Sequence, residues 1–300
     1  MSAEKILVIR GGAVGDFILT LPALRAHRDR WPDRRVEILG YPGIAALAPW
    51  FGVAASVRPL EHAALARFFV PGVPLDPAWA DYLASFGAVV SFLYDPDGIF
   101  SENLRRCGVR RLIPGLHRPA EGSGPASLQL GEAFRKLDVP ISADDLRRSL
   151  KTREAPANVI AVHPGSGSPR KNWGLENWLE LIRQLHRRED CRFAIFSGEA
   201  EETTVPWLIA ALKNEAIPFE HHHQRSLIEV ADALAKARGF FGHDSGLSHL
   251  AGVLGLPTVA IFGTTDPGVW APNGPDVRVV RAPDGQLAAL TPAAVLAAFD

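Results

Sequence analysis

Four stretches of this sequence set polar or charged side chains among glycines directly after an apolar run. The first, "RGGAVGDFILTLPAL" (10–24), ends its glycine-rich turn on Asp16. A carboxylate there can serve as general base for a hydroxyl, or simply as an N-cap, a role that Asp fills well. The turn is not a dinucleotide fingerprint, because Gly11, Gly12 and Gly15 do not give G-x-G-x-x-G. In "HPGSGSPRKNWGLENW" (163–178), Ser166, Gly167 and Ser168 offer N–H and hydroxyl groups ahead of a helix, and Lys171 adds a mobile positive charge. That combination suits a diphosphate. A surface loop has the same composition, and the G-K-[ST] ending of a P-loop is absent.

The other two stretches follow the same plan. "FSGEAEE" (196–202) puts Glu199 past a strand end, where a carboxylate accepts hydrogen bonds from ribose hydroxyls or merely starts a solvated helix. "GFFGHDSGLSHLAGVLGLPTVAIFGTTDP" (239–267) brings Asp244, Ser245 and Gly246 to the start of a helix that holds His249 one turn in. Backbone N–H groups, a hydroxyl and an imidazole can converge there; caps and a structural histidine are the plainer reading. The run His221, His222, His223 is assigned no metal: neighbouring side chains alternate faces on a strand and diverge by about 100° on a helix.

The elements that must carry these clusters are those of an α/β chain. "KILVIR" (5–10), "RVEILG" (35–40) and "AVVSFL" (88–93) read as strands buried on both faces, "VIAVH" (159–163), "RFAIFS" (192–197), "GFFGH" (239–243) and "TVAIFG" (258–263) as further strands, and their alternation with helical patterns as parallel sheet. "LENWLELIRQLHRR" (175–188) and "LIEVADALAKA" (227–237) carry the three-and-four apolar spacing of helices. Pro22 belongs in a first helical turn or at a kink. The charged stretch "RRSLKTREAPAN" (147–158) is the expected linker, giving domains 1–150 and 151–300. "RFFVPGVPL" (67–75) reads as a buried connection, and segments 61–75 and 94–106 receive no functional assignment.

Composition narrows the partners. With 32 basic and 33 acidic residues the net charge is −1, and no stretch concentrates cations as a nucleic-acid groove would. The pairs Arg105/Arg106 and Arg110/Arg111 fit anion contacts or solvated helix ends equally. Two cysteines, Cys107 and Cys191, far apart and outside any metal-ligand spacing, point to a reducing compartment. With no leader pattern after Met1 and no apolar run of spanning length, the expectation is a cytoplasmic chain, peripheral contact with a membrane left open.

Taken together, "ILVIRGGAVGDFILTLPAL", "HPGSGSPRKNWGLENWLELI" and "DSGLSHLAGVLGLPTVAIFGTTDP" occur in an order and at separations that resemble glycosyltransferase family 9, the ADP-heptose:lipopolysaccharide heptosyltransferases. The resemblance spans nearly the whole chain. It implies a GT-B architecture of two Rossmann-like domains with parallel sheets facing each other across a cleft, acceptor on the first and nucleotide sugar on the second. The last helix would pack back on the first domain. It further implies inverting transfer of heptose, or a related sugar, from an ADP-sugar to a glycan or glycolipid acceptor such as lipopolysaccharide core, at the inner membrane surface, with neither cofactor nor essential metal.

By motif, Asp16 matches the catalytic base, and Ser166, Gly167, Ser168 and Lys171 the diphosphate loop, with Lys171 also neutralising the leaving group. Glu199 matches the acidic residue near the nucleoside, and Asp244, Ser245, Gly246 and His249 the donor-site cluster. The phosphate loop departs from the family in carrying Ser-Gly-Ser where threonines are common. Two rival readings use the same frame: a nucleotide-sugar epimerase or hydrolase, which needs a second ionisable group at the sugar, and a non-catalytic nucleotide-sugar-binding protein, which has no need of Asp16.

Overall fold

The computed structural model describes residues 5–151 and 157–299. Two compact units divide the chain, Met1–Asp145 and Leu146–Asp300. The expected linker 147–158 therefore falls in the second unit: Leu150 N–H donates to Val253 O at 2.8 Å, and residues 152–156 lie outside the described residues.

The first unit holds five parallel strands, β1 (Ile6–Arg10), β2 (Val36–Gly40), β3 (Ser56–Pro59), β4 (Ala88–Ser91) and β5 (Leu112–Pro114), in the order β3-β2-β1-β4-β5. Strands β1 and β4 are buried throughout, as continuous apolar runs covered on both faces must be. Pro22 sits in the first turn of helix Leu21–Arg30, where its missing N–H is harmless. The segment "RFFVPGVPL" is only partly the buried connection expected. A 3-10 helix, Ala63–Phe69, buries Leu65 and Phe68, whereas Phe69 and Val70 are exposed. Buried Asn103 fastens it, its amide donating to Phe68 O at 2.9 Å and Val70 O at 3.1 Å. Asp95 accepts the N–H groups of Phe100 and Ser101 at 3.0 and 2.9 Å, so the acidic turn before helix Ile99–Arg106 acts as its cap. Arg106 and Arg111 donate to backbone carbonyls, at Val73 and Lys136, which engages both with the fold.

The second unit holds six parallel strands: β6 (Val159–His163), β7 (Arg192–Ser197), β8 (Phe219–His223), β9 (Gly239–His243), β10 (Thr258–Phe262) and β11 (Val277–Arg281), ordered β11-β10-β9-β6-β7-β8. Helix Leu175–Glu189 buries Trp178, Leu179, Leu181, Ile182 and Leu185, one face at helical spacing, against β6, β7 and β9 side chains. Each such side chain contributes about 1.5–3 kcal/mol on burial. The helix stops at Asp190, which takes a left-handed conformation (φ 44°). The last helix, Pro292–Ala297, packs on helix Leu175–Glu189 of its own unit, and Phe299 meets Phe241 at 4.9 Å between ring centroids. Val295 and Leu296 of this last helix join the second core.

Both sheets reverse direction once. The chain leaves β1 toward β2 and β3 and returns on the far side as β4; likewise it leaves β6 toward β7 and β8 and returns as β9. Loops at such a switch point run to opposite faces and open a crevice beyond the carboxyl ends of the strands. Among the described residues no helix is long and apolar enough to cross a membrane.

Candidate functional site

At the first switch point the turn after β1 carries Asp16, the third residue of the short helix Val14–Ile18 rather than its cap. Ala13 is the cap residue, and the Asp16 carboxylate reaches back to accept its N–H at 3.1 Å. Gly12, at φ 100°, makes the turn possible, and a side chain there would press on the Asp16 carboxylate. Beneath the turn Arg10 is 3% exposed, with Nη2 donating to Asp16 O at 3.1 Å and Nη1 to His117 O at 3.2 Å. Its guanidinium lies 5.4 Å over the Phe92 ring; burial lowers its pKa, and the nearby Asp16 charge opposes that shift. Sequence reasoning misses Arg10, although an arginine ending an otherwise apolar strand is a visible signal.

At the second switch point the loops after β6 and β9 lie side by side. Lys171, in the 3-10 turn Pro169–Lys171, reaches Asp244 across 73 residues of sequence, Nζ to Oδ2 2.5 Å. The ammonium expected to meet a diphosphate is thus paired with a carboxylate, the lysine side chain being 37% exposed and the aspartate 9%. Ser166 is 3% exposed, and its hydroxyl turns inward, with Ser168 O (2.8 Å) and Asn172 Oδ1 (2.7 Å) both in reach of its single proton. It braces the loop, while Gly167 is exposed with open space around it. Ser168 is half-buried, and its N–H donates to Ser166 Oγ at 3.2 Å. Ser245 precedes helix Gly246–Val253 without capping it through its side chain, and Gly246 opens that helix. His249 is buried at 4% exposure in the same helix.

The acidic residue drawn into this cluster is Glu201, at 3% exposure, whereas Glu199 is exposed. Glu201 accepts the Gly198 N–H at 2.8 Å and comes within 3.8 Å of His163 Nε2. Its carboxylate packs on Gly165 so closely that no Cβ fits there. Burial pushes its pKa up, but the nearby His163 ring and the hydrogen bond from the Gly198 N–H outweigh this and hold it below the usual value. The signal is the Gly-x-x-Glu spacing of a helix start, and only tertiary packing separates Glu199 from Glu201.

His243, fully buried, stitches the loop after β6 to β9. Its Nδ1 is 3.0 Å from Gly165 O, and Nε2 accepts the Trp173 N–H at 2.7 Å. Burial lowers its pKa to about 4, so the ring is neutral. On β8 the histidines alternate as a strand requires: His221 and His223 share Ser197 Oγ at 2.8 and 3.0 Å, and His222 stacks on Phe196. Among the described residues no group of three or more His, Cys, Asp or Glu side chains could hold a metal ion.

The profile of glycosyltransferase family 9 (heptosyltransferase) matches residues 126–293, more than half of the chain. Lipopolysaccharide heptosyltransferase 1 of Escherichia coli K12 is 29% identical over 342 residues, covering 97% of this chain and 98% of its own. That of Pseudomonas aeruginosa is 25% identical over 294 residues, covering 90% and 81%. Among solved structures, the E. coli heptosyltransferase WaaC with ADP superposes with a TM-score of 0.74 at 22% identity, covering 97% of each chain. A family 9 glycosyltransferase of Veillonella parvula gives 0.75 at 15% identity, covering 99% and 96%. These likenesses agree with the observed pair of parallel α/β units of GT-B type. By its sequence profile, the chain belongs to glycosyltransferase family 9, the heptosyltransferases.

Proposed function

We propose that this enzyme transfers a heptose, with inversion, from ADP-heptose to a hydroxyl of a lipopolysaccharide-core glycan, without an essential metal. The observation that carries the reading is the meeting of Lys171, Asp244 and Ser245 at the β6/β9 switch point of a family 9 chain. The second unit binds the nucleotide sugar there, with Glu199 free to accept ribose hydroxyls at the end of β7. The first unit binds the acceptor, a glycolipid met at the cytoplasmic membrane surface. Asp16 takes the acceptor proton. A carboxylate is a weak base, adequate where the proton leaves late, after the sugar carbon has become oxocarbenium-like. Charge developing on the departing diphosphate falls to Lys171, which exchanges Asp244 for a phosphate, and to the N–H groups opening helix Gly246–Val253.

A thermal-shift panel of ADP, UDP, GDP and CMP, run with and without EDTA, tests this. ADP at a hundredfold excess over its dissociation constant adds about 2.7 kcal/mol, exceeds the other nucleotides and is indifferent to EDTA. Equal shifts for all four nucleotides sink the donor assignment, and an ADP shift abolished by EDTA sinks the metal-free one.

A further inference from the structure

The end of β6 and the loops after β7 and β9 are joined by a line of three side chains, of which the proposed transfer uses only Ser245. Glu201 lies 3.8 Å from His163 Nε2, and the opposite ring nitrogen, Nδ1, lies 3.3 Å from Ser245 Oγ. His163 is 7% exposed, and the Ser245 hydroxyl makes no cap bond to the helix it precedes. The direction of the histidine–serine bond decides what Ser245 can offer a ligand. With Nδ1 bare, the serine proton points at the ring, and only oxygen lone pairs face outward. With a proton on Nδ1, the ring donates to Oγ and the hydroxyl proton is released toward the ligand.

We propose that His163 is a positioning residue for the leaving diphosphate: it takes up a proton from solvent when the nucleotide sugar binds, turning Ser245 into a hydrogen-bond donor, with Glu201 as the buried counter-charge. This rests on the donor site proposed above. Among the described residues, Glu201, from the loop after β7, and His243, from β9, which burial keeps neutral, both interact electrostatically with the ring. The imidazolium therefore meets one anion and no competing cation from these groups. A diphosphate above Ser245 adds further negative potential, and a proton is the smallest species that answers it. The Lys171 and Asp244 pair stands beside this line, so a phosphate reached by Lys171 is also within the reach of the Ser245 loop.

The experiment is calorimetric titration of the intact protein with ADP-heptose, whose doubly esterified diphosphate has no ionisation near neutral pH, in buffers of different ionisation enthalpy. The wild type takes up a substantial fraction of a proton per ligand bound, and His163→Gln, which keeps an amide beside Ser245 and cannot titrate, takes up none. A wild type that binds with no proton uptake, or a His163→Gln protein that retains it, overturns the proposal. Absence of any binding overturns the donor assignment itself, which keeps the two failures apart. Steady-state rates supply the second arm: with deacylated, heptose-free lipopolysaccharide as acceptor, His163→Gln lowers kcat by roughly 10- to 100-fold. The same change made in a Ser245→Ala background lowers it less than about twofold, since the hydroxyl it acts through is gone. Independent, multiplying losses overturn the proposal.

Discussion

The switch points of the two sheets are underlain by buried charges of opposite sign. Under the turn after β1 lies a cation, Arg10, and the loop above it exposes a carboxylate, Asp16. Under the loop after β6 lies an anion, Glu201, and the loops above it carry an ammonium, Lys171, and the hydroxyl of Ser245. A buried ion must be hydrogen-bonded, and it selects partners of the complementary kind. Arg10 collects carbonyls, at Asp16 and His117, whereas Glu201 collects the Gly198 N–H and the His163 ring. The polar backbone groups used below differ, so what remains to face a ligand differs too. One crevice is left with a carboxylate that accepts the Ala13 N–H, the other with a cation and a hydroxyl.

The largest effect expected from breaking this contrast is at Asp16. Asp16→Asn keeps an oxygen for the Ala13 N–H and keeps Arg10's contact with the backbone, so melting temperature and ADP affinity stay near wild type. Transfer falls by roughly 10²- to 10⁴-fold if the carboxylate is the base. Paired melting, ADP titration and transfer rates decide it, and near-normal turnover removes Asp16 from the mechanism.

Acid should separate the two crevices next. His243 has a folded pKa of about 4 against 6.5 in an exposed chain, the cause being its burial. Between these values the unfolded chain binds a proton that the folded one refuses, so the stability His243 contributes is complete above pH 6.5 and is lost as pH falls toward 4. The loss reaches about 3 kcal/mol. Arg10 stays protonated throughout. Hydrogen exchange followed across that range should show the second unit opening first, and His243→Gln should flatten its pH dependence. Earlier opening of the first unit contradicts the comparison.

A smaller change is expected at Lys171, because Asp244 already shares its charge. Lys171→Ala should weaken ADP by about 1.5–3 kcal/mol, the range for a charge-assisted contact, and adenosine much less. Equal losses for ADP and adenosine would make the lysine a clasp for the loop through Asp244.

Much of this architecture is legible in the amino-acid sequence. The strands at 159–163, 192–197 and 239–243 end where their apolar runs end, and helix Leu175–Glu189 overruns its expected bounds by one residue. Strand β4 stops at Ser91, short of the apolar Phe92 and Leu93, where its pairing with both β1 and β5 ends. Strands β3, β8 and β11 carry half-exposed or exposed positions and lack the continuous apolar signal of central strands. Order and spacing of the glycine-rich loops likewise point to the family, since a backbone that must approach a diphosphate constrains residue types locally.

What sequence alone determined is therefore what depends on near neighbours: which segments are strands, which turns need glycine, and where a carboxylate or lysine follows a strand. Tertiary structure decided which of Glu199 and Glu201 is buried, that Ser166 turns inward, that Lys171 meets Asp244, and that His163 stands between Glu201 and Ser245. Those outcomes join residues as many as 82 positions apart through the order of strands in a sheet. Local propensity is blind to that order, because pairing is fixed by which buried faces and buried charges can be satisfied together.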